Sequence, residues 1–206
     1  MNPLPSPPLL LITDRSQARH ALTDIVAAAC RGGARWISVR EKDLGAAEQV
    51  ALAQEIHRVA GAFGAIVTIH GSASLAQAAG CDGVHLPAGE VPGAARAALG
   101  PSALIGQSIH SDVEAAAADP LLVDYVVAGP AFDTASKPGY GPALRGAGLV
   151  RLRAACRVPL LALGGIDCHK IAECRAAGVA GIAVMGGVMR AQDPAREMRA
   201  LCAAWG

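Results

Sequence analysis

Short apolar runs alternate along the chain with longer Ala-rich segments that have helical spacing. We predict eight strands, at residues 9–13, 36–40, 65–70, 83–86, 104–110, 125–129, 159–163 and 181–185. The segments between them, such as 18–31, 46–60, 72–79 and 167–177, are rich in helix-forming Ala, Leu, Glu and Arg. Alternating strands and helices require parallel strands joined by right-handed crossovers. The pattern therefore predicts an α/β fold, a single-domain (β/α)8 TIM barrel.

One domain is expected to account for the whole chain. The 206 residues are 52% hydrophobic and include 24 glycines, which is enough to bury one substantial core. Since no linker or composition break divides the sequence, we treat residues 1–206 as one domain, with residues 1–8 as a short N-terminal tail. A doubly wound open sheet is the alternative, but no G-x-G-x-x-G motif follows the first strand.

The composition narrows the classes of partner. Eighteen basic and seventeen acidic residues give a formal charge of +1, and aromatic residues make up only 3%. Nucleic-acid binding requires a basic face or stacking aromatic residues, so we expect no nucleic-acid partner. The six cysteines are scattered without a C-x-x-C pair, and the longest apolar runs are of strand length. We therefore expect a cytoplasmic protein that has no structural zinc site and no membrane partner.

The polar residues that end the predicted strands are the candidate functional residues, because barrel enzymes carry their chemistry at the C-terminal strand ends. The second strand stops in Arg40-Glu41-Lys42, and two cations at one strand end predict a phosphate or diphosphate ligand. His70 and His110 end the third and fifth strands and are candidate acid–base groups. His85 belongs to an otherwise apolar strand, so we interpret it as a hydrogen-bonded core histidine.

A second anion site is predicted from two glycine pairs. Gly164-Gly165 follows the seventh strand, and Gly186-Gly187 follows Met185 at the end of the eighth strand. In phosphate-binding barrels, the loops after these two strands present backbone N–H groups to a phosphate. Glycine permits that close approach because it has no side chain.

The loop at residues 133–141 is long for a connection between a strand and a helix. Long loops in compact domains are often functional lids. Thr134, Ser136 and Lys137 lie in this loop, together with two glycines and one proline. Two hydroxyls and a cation suit a loop that wraps around an anionic substrate, which is the role we predict for it.

Together these strand endings resemble those of the thiamine-phosphate synthase family, which also contains the thiazole tautomerases. The resemblance spans nearly the whole chain, from Leu11-Ile12-Thr13-Asp14 to the eighth strand. Its most specific pieces are Val39-Arg40-Glu41-Lys42, Cys81-Asp82-Gly83-Val84-His85-Leu86, Gly106-x-Ser108-x-His110, Gly129-Pro130-x-Phe132-x-Thr134-x-Ser136-Lys137 and Ala162-Leu163-Gly164-Gly165-Ile166. The resemblance implies an enzyme that couples hydroxymethylpyrimidine diphosphate with thiazole phosphate, giving thiamine phosphate and pyrophosphate.

The resemblance also implies roles for individual residues, because the departing diphosphate must be stabilised by cations and Mg²⁺. The candidate catalytic residues are Arg40, Lys42, Lys137 and His110. The candidate substrate-binding residues are Ser38, His70, Ser108, Thr134, Ser136, Gly164, Gly165, Met185, Gly186 and Gly187. Glu90 is the candidate metal ligand. A homodimer is a candidate assembly.

Three positions depart from the synthase pattern. His70-Gly71 occupies the position of an Asn-Asp pair in the family. Glu90 occupies the position of the second metal-binding carboxylate, and Ser38 occupies the position of a glutamine. Losing a carboxylate is expected to weaken Mg²⁺ binding.

Two alternatives to coupling therefore stay open. The first is a tautomerase-like isomerase that moves a proton on a thiazole phosphate carboxylate. The histidine that this branch usually uses is Pro130 here, so His70 or His110 would have to transfer the proton. The second alternative is a non-catalytic protein that binds thiazole phosphate.

Overall fold

Eight parallel strands close into a barrel in sequential order, β1-β2-β3-β4-β5-β6-β7-β8. The computed structural model describes residues 1–134 and 142–206. The strands are β1 Leu9–Ile12, β2 Trp36–Val39, β3 Ile66–His70, β4 Gly83–Leu86, β5 Leu104–Ile109, β6 Tyr125–Ala128, β7 Leu160–Leu163 and β8 Gly181–Val184. Pairing of β1 with both β2 and β8 closes the sheet. The predicted (β/α)8 barrel is confirmed.

Helices follow the strands and cover the outside of the barrel. They are α1 Leu22–Arg31, α2 Ala46–Gly61, α3 Ala73–Ala79, α4 Pro92–Leu99, α5 Asp112–Ala117, α6 Arg145–Ala155, α7 Ile171–Ala176, α8 Gly186–Met189 and α9 Pro194–Trp205. Helix α1 begins at Leu22, later than predicted, because the predicted segment starts with Ala18, which is extended after a 3-10 helix at Arg15–Gln17. Helix α7 also begins late, because the Asp167 side chain accepts the His169 and Lys170 N–H groups in a preceding turn.

The barrel interior contains an aromatic layer of two residues, Trp36 and Tyr125, surrounded by aliphatic side chains. Trp36 and Tyr125 are fully buried, and their rings pack edge to face with centroids 4.6 Å apart. Gly106 on β5 leaves the space that the tyrosine ring occupies, since a Cβ at this position would lie 2.0 Å from Tyr125 Cζ. This layer supports the strand ends above it.

The N-terminal end of the barrel is closed by buried polar contacts. Asp124 is fully buried before β6, and its carboxylate accepts hydrogen bonds from Arg96 Nη2 at 2.7 Å and from the Ile105 N–H at 2.8 Å. The Asn2 N–H also donates to this carboxylate, at 2.6 Å, and Leu4 packs against the interior cluster. Residues before β1 therefore lie across this end, and the open mouth is at the other end.

Within the described residues, no helix combines the length and the apolar character that crossing a membrane would require.

Candidate active site

A cavity of about 760 Å³ lies at the C-terminal ends of the strands. Most of the predicted site residues line it. They are Arg40, Lys42, His70, Ser108, His110, Thr134, Gly164, Gly165, Met185, Gly186 and Gly187. The fold thus brings together residues that are up to 147 positions apart in the chain, from Arg40 to Gly187. This placement agrees with the expectation that the strand ends carry the chemistry.

Four predicted site residues are placed differently. Ser38 is fully buried inside the barrel, where its Oγ accepts a hydrogen bond from Thr68 Oγ1 at 3.0 Å, and it does not line the cavity. Glu90 is exposed and does not line the cavity either, and its main-chain oxygen accepts a hydrogen bond from Gln107 Nε2 at 2.7 Å. Ser136 and Lys137 lie outside the described residues. The predicted ligand contacts of these four residues stay predictions.

A buried carboxylate organises the cationic side of the cavity. Glu41 is 3% exposed, and its Oε2 accepts the Arg15 N–H at 2.9 Å while Thr13 hydrogen-bonds the same carboxylate. Burial raises the pKa of the Glu41 carboxyl group above its usual value. The Thr13 hydroxyl also accepts the Arg40 N–H, at 3.0 Å. The ends of β1 and β2 are therefore held together beneath the Arg40 and Lys42 side chains, which line the cavity.

Two histidines pack against each other where β3 and β4 end. The ring centroids of His70 and His85 are 4.4 Å apart. His85 is 2% exposed and is hydrogen-bonded at both ring nitrogens, to Tyr125 OH at 3.2 Å and to Ser108 Oγ at 3.0 Å. The interpretation of His85 as a hydrogen-bonded core histidine is confirmed, although its ring also borders the cavity.

Both rings are electrically neutral at pH 7. Burial, and to a lesser degree the Arg40 charge, lowers the pKa of His85 to about 3. Burial also holds the pKa of His70 well below its usual value, with His85 and the nearby cations adding to the effect. The Nε2 atom of His70 is buried and has no hydrogen-bond partner among the described residues. His70 therefore offers a ligand a hydrogen bond and not a charge. His110, in contrast, lies exposed at the rim.

The loops after β6 and β7 pack tightly against each other. Gly165 has a φ of +63°, and a Cβ on it would lie 2.3 Å from the main-chain oxygen of Asp133. The Phe132 N–H donates to the Gly164 oxygen at 3.0 Å. Only glycine fits at position 165, because any side chain would push these two loops apart. The second glycine pair begins α8 on the neighbouring strand end, so glycines from both loops line one side of the cavity.

The sequence analysis missed two cations that line the cavity. Lys170 Nζ donates to the Gly165 oxygen at 2.8 Å and lies 3.2 Å from Asp167 Oδ2. Arg190 is exposed at the end of α8, and its guanidinium donates to the Gln17 side chain. Neither cation lies at a strand end, since Lys170 precedes α7 and Arg190 follows α8. A signal was present, since each cation follows a glycine pair within five residues.

The described residues do not form the paired-carboxylate magnesium site that the resemblance implies. The cavity is lined by Asp133 and Asp167, which form ion pairs with Arg145 at 2.9 Å and with Lys170 at 3.2 Å. Gly71 lines the cavity at the position where an aspartate was expected. Across residues 1–134 and 142–206, no group of three His, Cys, Asp or Glu side chains could hold a metal ion. Mg²⁺ prefers several oxygen ligands, and this arrangement does not supply them.

Fold and site together define a phosphate-handling (β/α)8 barrel, with a cation pair after β2 and glycine-rich loops after β7 and β8. A family model described as thiamine monophosphate synthase matches residues 9–188. The chain belongs to this family.

Two related proteins and one solved structure support the family assignment. The chain is 37% identical over 195 residues to the thiamine-phosphate synthase of Methanoculleus marisnigri, a match that covers 94% of this chain and 92% of that protein. It is 35% identical over 207 residues to the thiamine-phosphate synthase of Roseiflexus castenholzii, covering 98% and 91%. The structure of thiamine phosphate pyrophosphorylase from Pyrococcus furiosus superposes with a TM-score of 0.82 at 28% identity, covering 95% and 94% of the two chains. The resemblance found in the sequence is confirmed.

Proposed function

We propose that this protein is a thiamine-phosphate synthase, which joins hydroxymethylpyrimidine diphosphate to thiazole phosphate and releases pyrophosphate. Family membership supports the reaction. The observation that carries the proposal is that one cavity contains both the Arg40 and Lys42 cations and the glycine-rich loops after β7 and β8. Since β2 and β8 both neighbour β1, the two anion-binding regions lie on the same side of one cavity mouth.

The first step is loss of the diphosphate. The bond between the pyrimidine methylene carbon and the diphosphate oxygen breaks, and its electron pair leaves with pyrophosphate. The negative charge on the leaving oxygen grows as that bond lengthens. Arg40 and Lys42 stabilise this charge, and Lys137 adds a third cation from the loop at 133–141. Arg40 serves as a fixed forked donor and Lys42 as a mobile point charge.

The second step is capture of the pyrimidine cation. The thiazole nitrogen donates its lone pair to the methylene carbon, and a carbon–nitrogen bond forms. Backbone N–H groups of the loops at Gly164-Gly165 and Gly186-Gly187 hold the thiazole phosphate in place. Lys170 and Arg190 supply the positive charge that neutral N–H groups lack. Holding both reactants in one cavity lowers the entropic cost of their encounter.

Mg²⁺ is typical of the family. In this chain Gly71 stands in place of one carboxylate, and Glu90 lies outside the cavity lining. We therefore derive no step from a metal ion held by the protein, and we assign neutralisation of the diphosphate to Arg40, Lys42 and Lys137.

The isomerase alternative has less support. His70 is half-buried, and its pKa is held well below its usual value, so it is a poor proton donor near pH 7. Pro130 lines the cavity at the position where the tautomerase branch has its histidine, and proline transfers no proton.

A coupling assay tests the proposal. The purified protein is mixed with both substrates, once with Mg²⁺ and once with EDTA, and thiamine phosphate and pyrophosphate are measured. We expect equimolar products, and a loss of at least ~10-fold in turnover for Arg40→Met because a charge-assisted contact to the diphosphate is removed. Arg157→Met is the matched control, since Arg157 is exposed just before β7, away from the cavity lining. Calorimetric binding of thiazole phosphate without any product would instead identify a non-catalytic binder.

A further inference from the structure

A row of polar side chains crosses the barrel interior and ends at the cavity. Ser38 Oγ accepts from Thr68 Oγ1 at 3.0 Å, and Thr68 hydrogen-bonds the Tyr125 hydroxyl. The row continues from Tyr125 OH to His85 Nδ1 at 3.2 Å and from His85 Nε2 to Ser108 Oγ at 3.0 Å. Each member lies on a different strand, from β2 to β6. Ser108 is the end of the row that lines the cavity. The other four residues are buried.

We propose that His85 is a positioning residue for the coupling reaction, acting through Ser108. Its Nε2 atom holds Ser108 Oγ in one rotamer and fixes the direction of the hydroxyl proton. Ser108 then meets the substrate with a single hydrogen-bonding role, as donor or as acceptor. This inference rests on the proposed function, in which Ser108 contacts a substrate.

The neutrality of His85 makes the row directional. A neutral imidazole has one N–H donor and one acceptor nitrogen, so the role of one nitrogen determines the role of the other. Thr68 donates its only proton to Ser38, so the Tyr125 hydroxyl donates to Thr68 and accepts from His85 Nδ1. The Nε2 atom is then the acceptor nitrogen, so Ser108 donates to it and offers its lone pairs to the ligand. Tyr125 thus determines how Ser108 meets the ligand, through His85.

The packing around the row keeps it in place. The Tyr125 ring lies against Trp36 on one side and fills the space above Gly106. His70 packs on His85 with a centroid separation of 4.4 Å, which restricts rotation of the imidazole. A supporting layer with locked rotamers holds a binding group more precisely than solvent can. The row is therefore suited to orient Ser108 before substrate arrives.

A double-mutant cycle tests the proposal through kcat and KM. His85→Phe removes the hydrogen bond to Ser108 while keeping a ring, Ser108→Ala removes the hydroxyl, and a third variant combines both. We expect each single change to lower kcat/KM up to ~10-fold, the effect of losing one hydrogen bond. The combined variant should be within about twofold of Ser108→Ala, because the two residues act as one unit. His85→Gln should recover part of the loss, since its amide can reach Ser108.

Losses that multiply in the combined variant would overturn the proposal, because His85 would then act independently of Ser108. Tyr125→Phe keeps the ring and removes the hydroxyl that bonds both His85 Nδ1 and Thr68. This variant carries the test if His85→Phe fails to fold, as judged by circular dichroism. The loss of kcat/KM that Tyr125→Phe causes should likewise disappear in the Ser108→Ala background. If the unmodified protein forms no thiamine phosphate, the proposed function fails by itself. The same cycle is then run on the calorimetric affinities for the two substrates, where additive changes would overturn the positioning role.

Discussion

Gly106→Ala is the change that most directly tests how the barrel interior is packed. The new Cβ would lie 2.0 Å from Tyr125 Cζ and within 2.5 Å of both neighbouring ring carbons. Tyr125 is fully buried and packs against Trp36, so its ring cannot move aside without disturbing the aromatic layer. The strain therefore has to be relieved by shifting β5 away from β6 or by forcing the tyrosine out of its rotamer.

The expected size of the effect follows from known costs of overpacking. One extra methyl group in a well-packed core costs about 1–3 kcal/mol, and a contact this short belongs at the upper limit, near 3 kcal/mol. For a protein of this length, that loss lowers Tm by roughly 6–12 °C. Turnover should fall as well, because Tyr125 moves away from His85.

Thermal unfolding followed by circular dichroism measures the loss. Gly93→Ala is the control, since Gly93 lies in α4 and a Cβ there would have no neighbour within 4 Å. Replacing a helical glycine by alanine should raise stability by about 0.5–1 kcal/mol. If Gly106→Ala left Tm within 2 °C of the unmodified protein, about the change that 1 kcal/mol produces, the packing argument for β5 and β6 would be wrong.

Three further predictions concern the site. Gly165→Ala should weaken thiazole phosphate binding at least ~10-fold in calorimetry, because its positive φ and the contact with the Asp133 oxygen force the loop to move; unchanged affinity would place the phosphate elsewhere. Lys137→Ala should cut turnover at least ~10-fold if the loop contacts the diphosphate, and unchanged turnover would remove Lys137 from the site. The pKa of His85 is about 3 in the folded protein and 6.5 in the unfolded chain. Between these pH values the unfolded state binds more protons, so stability falls as the pH falls. From pH 7 to pH 5 this loss is about 2 kcal/mol in urea titrations, and His85→Gln should show a correspondingly weaker pH dependence.

The sequence was sufficient to predict the barrel and most of its mouth. Strands covered on both faces appear as continuous apolar runs, which made all eight recognisable. Depth along a strand was harder to predict. Ser38 and Arg40 share the inward-facing side of β2 because they are two residues apart. Only Arg40 reaches the cavity, and Ser38 lies one layer deeper.

Other parts depended on contacts between distant residues. The bond between His85 and Tyr125 joins positions 40 residues apart, and nothing local in the sequence indicates it. Lys170 lies on a turn, not at a strand end, and it lines the cavity where its Nζ donates to the main-chain oxygen of Gly165. The family resemblance identified Glu90 as a candidate metal ligand. The spacing of residues does not determine whether its side chain reaches the cavity.

The aromatic layer of Trp36 and Tyr125 also divides the protein into two regions with different tolerance to change. Below the layer, the contacts of Asp124 close the barrel, and above it the strand ends line the cavity. A substitution of a polar residue at the mouth therefore leaves the aromatic layer intact, and new specificities can be selected there without first restoring stability. Libraries directed at the mouth residues alone, with Trp36, Gly106 and Tyr125 held constant, would be the efficient way to change which two molecules this barrel joins.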